Sequence, residues 1–154
     1  MKTLIRGGRL VDPKNSIDGR YDVLVDGPVV KEVSKSIRKV DDDTRIIDAS
    51  KRIVAPGLID VHCHLREPGF EYKETIRTGT TAATRGGFTT VVCMANTNPV
   101  NDSRSVTEFI VDKARAEGVC KVLPCGAVTR GLRSEELSEI GEMFEAGIVA
   151  ISDD

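Results

Sequence analysis

Residues 58–65 read LIDVHCHL, and at this stretch the pattern of the sequence changes. Before it, the chain holds short β-branched or alternating segments that are bounded by Gly, Pro, Asp or Asn, as in strands joined by turns. After it, apolar strand-like segments alternate with segments whose apolar residues follow helical spacing. We therefore divide the chain into residues 1–56, a set of N-terminal strands, and residues 57–154, an α/β region.

The α/β region is predicted to alternate strictly between strands and helices. Strands are expected at residues 58–65, 89–95, 119–128 and 148–152. Helices are expected at residues 74–86, from an N-cap at Ser103 to Gly118, and from an N-cap at Ser134 to Gly147. Such alternation predicts a parallel sheet, either as an open doubly wound sheet or as the first half of a (β/α)8 barrel. No glycine-rich phosphate loop follows a strand, which disfavours a nucleotide-binding open sheet.

Composition excludes several classes of protein. The 154 residues carry 22 Lys and Arg against 24 Asp and Glu, and 40% are hydrophobic, which is typical of a globular chain and not of a disordered tail or a membrane span. The net charge of −2 predicts binding neither to nucleic acid nor to a membrane surface. The four cysteines show no Cys-x-x-Cys spacing, and charged residues interrupt the N-terminus before an apolar run of signal-peptide length can form. These features predict reduced thiols and a cytoplasmic location. A complete barrel needs about 250 residues, more than this length provides.

His62 and His64 are the only two histidines of the chain and stand two residues apart in one predicted strand. Side chains at positions i and i+2 share a face of a strand, so both imidazoles point the same way and can bind one metal ion. Arg66 follows on that face if the strand continues, while Cys63 points to the opposite side. Because parallel α/β folds carry their chemistry at the carboxyl ends of strands, we interpret the pair as a metal site. The alternative is two histidines that merely alternate on a half-exposed strand.

Polar residues also follow two other predicted strands. Asp153 and Asp154 end the last apolar strand, where they either face solvent or supply a carboxylate ligand beside the histidines. Residues 96–99 read NTNP, which is either an ordinary turn or a loop that presents the amide of Asn96 to a substrate carboxylate. Spacing alone leaves both choices open. The remaining cysteines lie in or beside apolar strands and are predicted to be small buried hydrophobes: Cys93, Cys120 and Cys125.

Three motifs resemble those of the dihydroorotase family within the amidohydrolase superfamily. They are APGLIDVHCHLREPG at residues 55–69, CMANTNP at residues 93–99 and SDD at residues 152–154. The resemblance runs over the whole chain in order. It implies that residues 57–154 form the first half of a (β/α)8 TIM barrel, and that residues 1–56 form part of a small β-sandwich domain.

The resemblance also implies roles for individual residues. His62 and His64 would be ligands of one or two zinc ions. Arg66 and Asn96 would bind the carboxylate of the substrate, together with His64, and the guanidinium fork of Arg66 suits a planar anion.

Many members of the superfamily have a metal-bridging carbamylated lysine at the fourth strand, whereas this sequence resembles those with a bridging aspartate. Asp154 is the better match to that aspartate, and Asp153 is the alternative. The family's later histidine ligands and its general-base aspartate lie on strands five to eight, which these 154 residues do not include. The resemblance therefore assigns no catalytic base to this chain.

The implied activity is that of a cyclic amide hydrolase that interconverts N-carbamoyl-L-aspartate and L-dihydroorotate in de novo pyrimidine biosynthesis. Two alternatives stay open: an allantoinase-type cyclic amidohydrolase, and a non-catalytic dihydroorotase-like scaffold subunit that partners aspartate carbamoyltransferase. We expect a complementary C-terminal fragment of the same protein to supply the rest of the site within an oligomer. Residues 1–154 alone are expected to be inactive.

Overall fold

The computed structural model describes residues 1–154, which fall into two units, Met1–Pro56 and Gly57–Asp154. The first unit is a five-stranded sheet with the order β3-β2-β1-β4, in which β5 also pairs with β1. Its strands are β1 (Lys2–Asp12), β2 (Ile17–Asp26), β3 (Val29–Ser34), β4 (Arg45–Asp48) and β5 (Ile53–Val54).

The long strand β1 organises this first sheet. It pairs antiparallel with β2 and parallel with both β4 and β5. The turn between β2 and β3 places Gly27 at a φ of +56°, a conformation that a residue without a Cβ adopts at no steric cost. The side chains of Leu4, Leu10 and Val23 are buried and supply apolar packing for the unit.

The second unit holds a four-stranded parallel sheet whose strands follow one another in chain order, β6-β7-β8-β9. The strands are β6 (Leu58–Cys63), β7 (Phe88–Cys93), β8 (Lys121–Gly126) and β9 (Ala150–Ile151). The helices are α1 (Ile76–Arg85), α2 (Arg104–Glu117) and α3 (Ile140–Ala146). A curled parallel sheet with one helix in each crossover is the first half of a (β/α)8 barrel, which confirms the predicted fold class.

One apolar cluster packs α1 and α2 onto this sheet. Its buried members are Leu65, Ile76, Val91, Cys93, Val106 and Ile110. Local sequence signals mark where α1 and α2 begin. Thr75 and Thr78 form a reciprocal capping box at the start of α1, and Ser103 occupies the predicted N-cap position of α2.

The prediction that the third helix begins after Ser134 is wrong, because α3 begins only at Ile140. Ser134 has a φ of +59° and lies in a loop, and Leu137 pairs with Thr129 in an isolated bridge. Ser138 closes the loop by donating its hydroxyl to the carbonyl of Ala127. These contacts within the loop replace the first turn of the expected helix. None of the helices is both long and apolar enough to cross a membrane.

Candidate metal and substrate site

Strand β6 and the residue just beyond it present the two histidines at the carboxyl end of the sheet. The ring centroids of His62 and His64 are 5.3 Å apart. Cys63, between them, packs against the apolar cluster beneath the helices, as alternation along a strand predicts. The two imidazoles are therefore free to face a common point on the other side.

Asp154 lies at that common point. One of its carboxylate oxygens is 3.3 Å from Nε2 of His62, and the other is 3.6 Å from Nε2 of His64. The candidate donor atoms of the three residues all lie within 4.8 Å of one another. Two imidazole nitrogens and one carboxylate oxygen form a mixed donor set that suits zinc and leaves further coordination positions open.

Asp153, the alternative ligand, faces a different group. Its carboxylate accepts hydrogen bonds from the backbone N–H groups of Val128 and Thr129, at 2.8 and 3.0 Å, and from the Thr129 hydroxyl at 2.7 Å. The hydroxyl of Thr129, together with these N–H groups, holds the pKa of Asp153 below its usual range. Because both Asp153 oxygens already have donors, the geometry favours Asp154 as the candidate ligand.

The structure brings Asn96 into the same cluster. Its side-chain oxygen is 3.0 Å from Nδ1 of His64, and its amide nitrogen is 3.4 Å from a carboxylate oxygen of Asp154. Asn96 therefore contacts the ring of His64 on the side opposite Nε2, which faces Asp154. An acceptor at Nδ1 keeps the proton on that atom and leaves Nε2 free to bind a metal.

Arg66 does not reach the site by strand alternation, because β6 ends at Cys63. Its backbone lies in the left-handed region with a φ of +61°, and its carbonyl accepts a hydrogen bond from the N–H of Phe70 at 2.9 Å. A residue with a Cβ adopts this conformation rarely, and such residues cluster at functional sites. Arg66 is half-buried and its guanidinium forms no ion pair with the chain, so it can bind an anion.

Sequence reasoning did not single out Asn101, which supports this end of the sheet. Its side chain is fully buried, donates to the carbonyl of Cys125 on β8 at 2.9 Å and accepts from the hydroxyl of Thr107 on α2 at 2.7 Å. Its backbone carbonyl accepts from the N–H of Ala127 at 2.8 Å. An asparagine just before a helix usually indicates a turn, so only its partners in space reveal this role.

The cysteines serve as packing residues. Cys93 and Cys125 are buried, while Cys63 and Cys120 are half-buried, and all four are free thiols. Burial raises the pKa of Cys93 to about 12 and that of Cys63 to about 11. Thiols with such pKa values stay protonated near neutral pH, which disfavours a role as nucleophiles or ligands.

Comparison with known proteins identifies relatives over the whole chain. A family model described as dihydro-orotase-like matches residues 51–154. A dihydroorotase from Geobacter metallireducens is 54% identical over 154 residues, which cover 100% of this chain and 36% of that protein. A dihydroorotase from Acetivibrio thermocellus is 52% identical over 151 residues, covering 98% of this chain and 35% of that protein. The chain thus spans about a third of the length of these relatives.

Solved structures share the fold. An L-hydantoinase from Arthrobacter aurescens matches with a TM-score of 0.83 and 23% identity, over 97% of this chain and 32% of that chain. A dihydropyrimidinase from Brevibacillus agri matches with a TM-score of 0.70 and 32% identity, over 84% of this chain and 28% of that chain. These two curated relatives and these two solved structures carry the names of cyclic amide hydrolases.

Proposed function

Because the chain belongs to the dihydro-orotase-like family, we propose that it forms the N-terminal part of a zinc-dependent dihydroorotase. The reaction would interconvert N-carbamoyl-L-aspartate and L-dihydroorotate in pyrimidine biosynthesis. The observation that carries the proposal is the convergence of His62, His64 and Asp154 at the carboxyl end of the half-barrel. Parallel α/β folds place active sites at this end.

The three converging side chains would hold the metal. Both histidines face Asp154 through Nε2, so the same ring atoms that approach the carboxylate would bind the ion. When bound, zinc supplies Lewis-acid polarisation of an amide carbonyl and makes water acidic near neutral pH. Asn96 would hold His64 in the tautomer that binds metal, because its oxygen accepts from Nδ1.

Arg66 would bind the carboxylate of dihydroorotate. Its guanidinium can form two parallel hydrogen bonds to a planar anion, and no acidic side chain of this chain neutralises it. Asn96 and His64 would border the same carboxylate, as the resemblance to the family implies. We place the general base outside these 154 residues, on a later strand of the barrel.

The proposal extends to partners and location. We propose that the complementary C-terminal part of the same protein completes the site within an oligomer, and that aspartate carbamoyltransferase is a companion enzyme. The four free thiols favour the cytoplasm as the location.

The test is hydrolysis of L-dihydroorotate by the full-length protein with zinc present. We expect turnover that is lost on chelation and restored by zinc. Arg66→Ala should raise KM sharply and lower kcat/KM, because the carboxylate loses its main cationic partner. An allantoinase-type enzyme would instead turn over allantoin, and a scaffold subunit would turn over neither substrate. Either result would contradict the proposal.

A further inference from the structure

A buried carboxylate lies next to Arg66 and has no part in the function described above. Glu67 is only 6% exposed, although it is a charged residue in a loop. Charged side chains are almost never buried to this extent unless they are paired. The partners of Glu67 therefore indicate which part of the site it holds.

Glu67 joins its loop to two helices. One carboxylate oxygen accepts the backbone N–H of Ile76, the first residue of α1, at 2.8 Å. The other oxygen is 3.4 Å from Nζ of Lys113 on α2, and Lys113 also binds Glu117 at 2.7 Å. The first contact satisfies a helix N–H that has no partner within the helix, where a negative charge is also favoured. The carboxylate is thus fixed by partners on both helices.

The same loop is attached on its other side to the segment that carries Asn96. The carbonyl of Pro68 accepts the N–H of Asn98 at 2.9 Å. Gly69 packs so closely there that a Cβ added to it would lie 1.9 Å from the carbonyl oxygen of Asn98. Residues 66–69, which we call the Arg66 loop, are therefore held between the helices and the Asn96 segment.

We propose that Glu67 is a positioning residue that sets the place of the Arg66 guanidinium and thereby the affinity for the substrate carboxylate. The inference rests on the proposed function, since it assumes that Arg66 binds that carboxylate. The carboxylate of Glu67 is engaged by Ile76 of α1 and Lys113 of α2, so it is not proposed to bind the substrate itself. It acts through the backbone, because anchoring the following residue restrains Arg66 in its left-handed conformation.

The test compares variants of the full-length enzyme in dihydroorotate hydrolysis. Glu67→Ala should raise KM by about 10- to 100-fold and leave kcat within about threefold, since displacing a binding group by about 1 Å costs on this scale. Glu67→Gln keeps an oxygen for the Ile76 N–H but loses the charge, so its KM should rise less. Glu108→Ala, which removes an exposed carboxylate from α2, is the matched control and should leave KM unchanged.

A double-mutant cycle separates positioning from a purely structural role. If Glu67 acts through Arg66, Glu67→Ala should have little further effect on KM in an Arg66→Ala background. Equal fold-changes in both backgrounds would overturn the inference. If circular dichroism shows Glu67→Ala to be unfolded, the cycle is run with Glu67→Gln, and an unchanged KM in that folded variant overturns the inference as well.

A binding measurement keeps this test distinct from that of the proposed function. Titration calorimetry with succinate, a dicarboxylate without a ring amide, should show weaker binding to both Arg66→Ala and Glu67→Ala. Absence of dihydroorotate hydrolysis by the natural protein would overturn the proposed function. The comparison of succinate binding between the natural protein and Glu67→Ala would still decide the inference. Undetectable succinate binding by the natural protein, or equal binding by Glu67→Ala, would overturn the inference.

Discussion

Replacing Asn96 by Ala should weaken zinc binding at the candidate site by about 10- to 100-fold. The side-chain oxygen of Asn96 lies 3.0 Å from Nδ1 of His64, whose Nε2 faces Asp154 at 3.6 Å. With a metal on Nε2, Nδ1 would carry the proton and donate a hydrogen bond to the side-chain oxygen of Asn96. The alanine removes this acceptor, so the ring loses the partner that fixes its tautomer and orientation. The expected loss corresponds to about 1.4–2.8 kcal/mol of binding free energy.

The amide nitrogen of Asn96 adds little to this figure. It lies 3.4 Å from a carboxylate oxygen of Asp154, near the outer limit of a hydrogen bond. The loss should therefore come almost entirely from the contact with His64. A variant with Asp at position 96 would keep an acceptor for Nδ1 and is expected to bind zinc at least as tightly as the natural protein.

The assay is competition for zinc against a chelating dye, with the dissociation constant as the readout. Asn98→Ala is the matched control, because Asn98 lies in the same segment with an exposed side chain and should leave the constant within about twofold. His62→Ala serves as the reference for loss of a ligand. A constant for Asn96→Ala within threefold of the natural value, or an equal loss in Asn98→Ala, would refute the reasoning.

Three other predictions concern the packing and stability of the two units. Asn101→Ala should lower the free energy of unfolding by about 2–4 kcal/mol, because the variant loses two buried side-chain hydrogen bonds, one of them to the Cys125 carbonyl on β8. Urea titration measures this change, and a loss below about 1 kcal/mol would contradict the prediction. Burial raises the pKa of Cys63 to about 11 and that of Cys93 to about 12. Both thiols should therefore react with a thiol reagent at pH 8 only after denaturation. Rapid labelling of either thiol in the folded protein would be the contrary result. Arg9 lowers the pKa of Asp18 through two hydrogen bonds. The stability that this pair contributes is therefore present above the unfolded pKa of about 3.9, and it is lost as the pH falls through the lower pKa of the folded state. Asp18→Asn should flatten this part of the acid dependence of the urea midpoint.

The strands and helices of the second unit were predictable because their signals are local. Apolar periodicity marks each element. Thr75 caps the start of α1 through its side chain, and Gly147 ends α3 through its left-handed backbone conformation. The start of α3 was not predictable in this way. Ser134 and the two glutamates after it have the local pattern of a helix start, but the segment pairs with Thr129 and the neighbouring loop instead. Contacts with Thr129, five positions before Ser134 and eight before Leu137, outweigh a local preference that is worth about 1 kcal/mol.

The position of Arg66 shows the same limit at the site itself. Strand alternation places His62 correctly, and it would place Arg66 on the same face only if β6 continued. Pro68 and Gly69 follow at once and indicate a turn, so the sequence did contain a signal against a longer strand. The buried anchor of this turn, Glu67, had no such signal, because its partners are a helix start and a lysine 46 positions further along the chain.

The choice between Asp153 and Asp154 depends on a contact that no local pattern reports. Two adjacent carboxylates at the end of a strand point to different sides. The resemblance ranks Asp154 ahead of Asp153, but no local pattern shows which of the two sides faces the histidines. In the structure, the loop after β8 supplies the N–H groups of Val128 and Thr129, which bind Asp153. These hydrogen bonds hold the backbone next to Asp154 in place. The carboxylate of Asp154 then faces the two histidines. Asp153, whose carboxylate oxygens already accept hydrogen bonds, therefore helps to orient the candidate ligand Asp154.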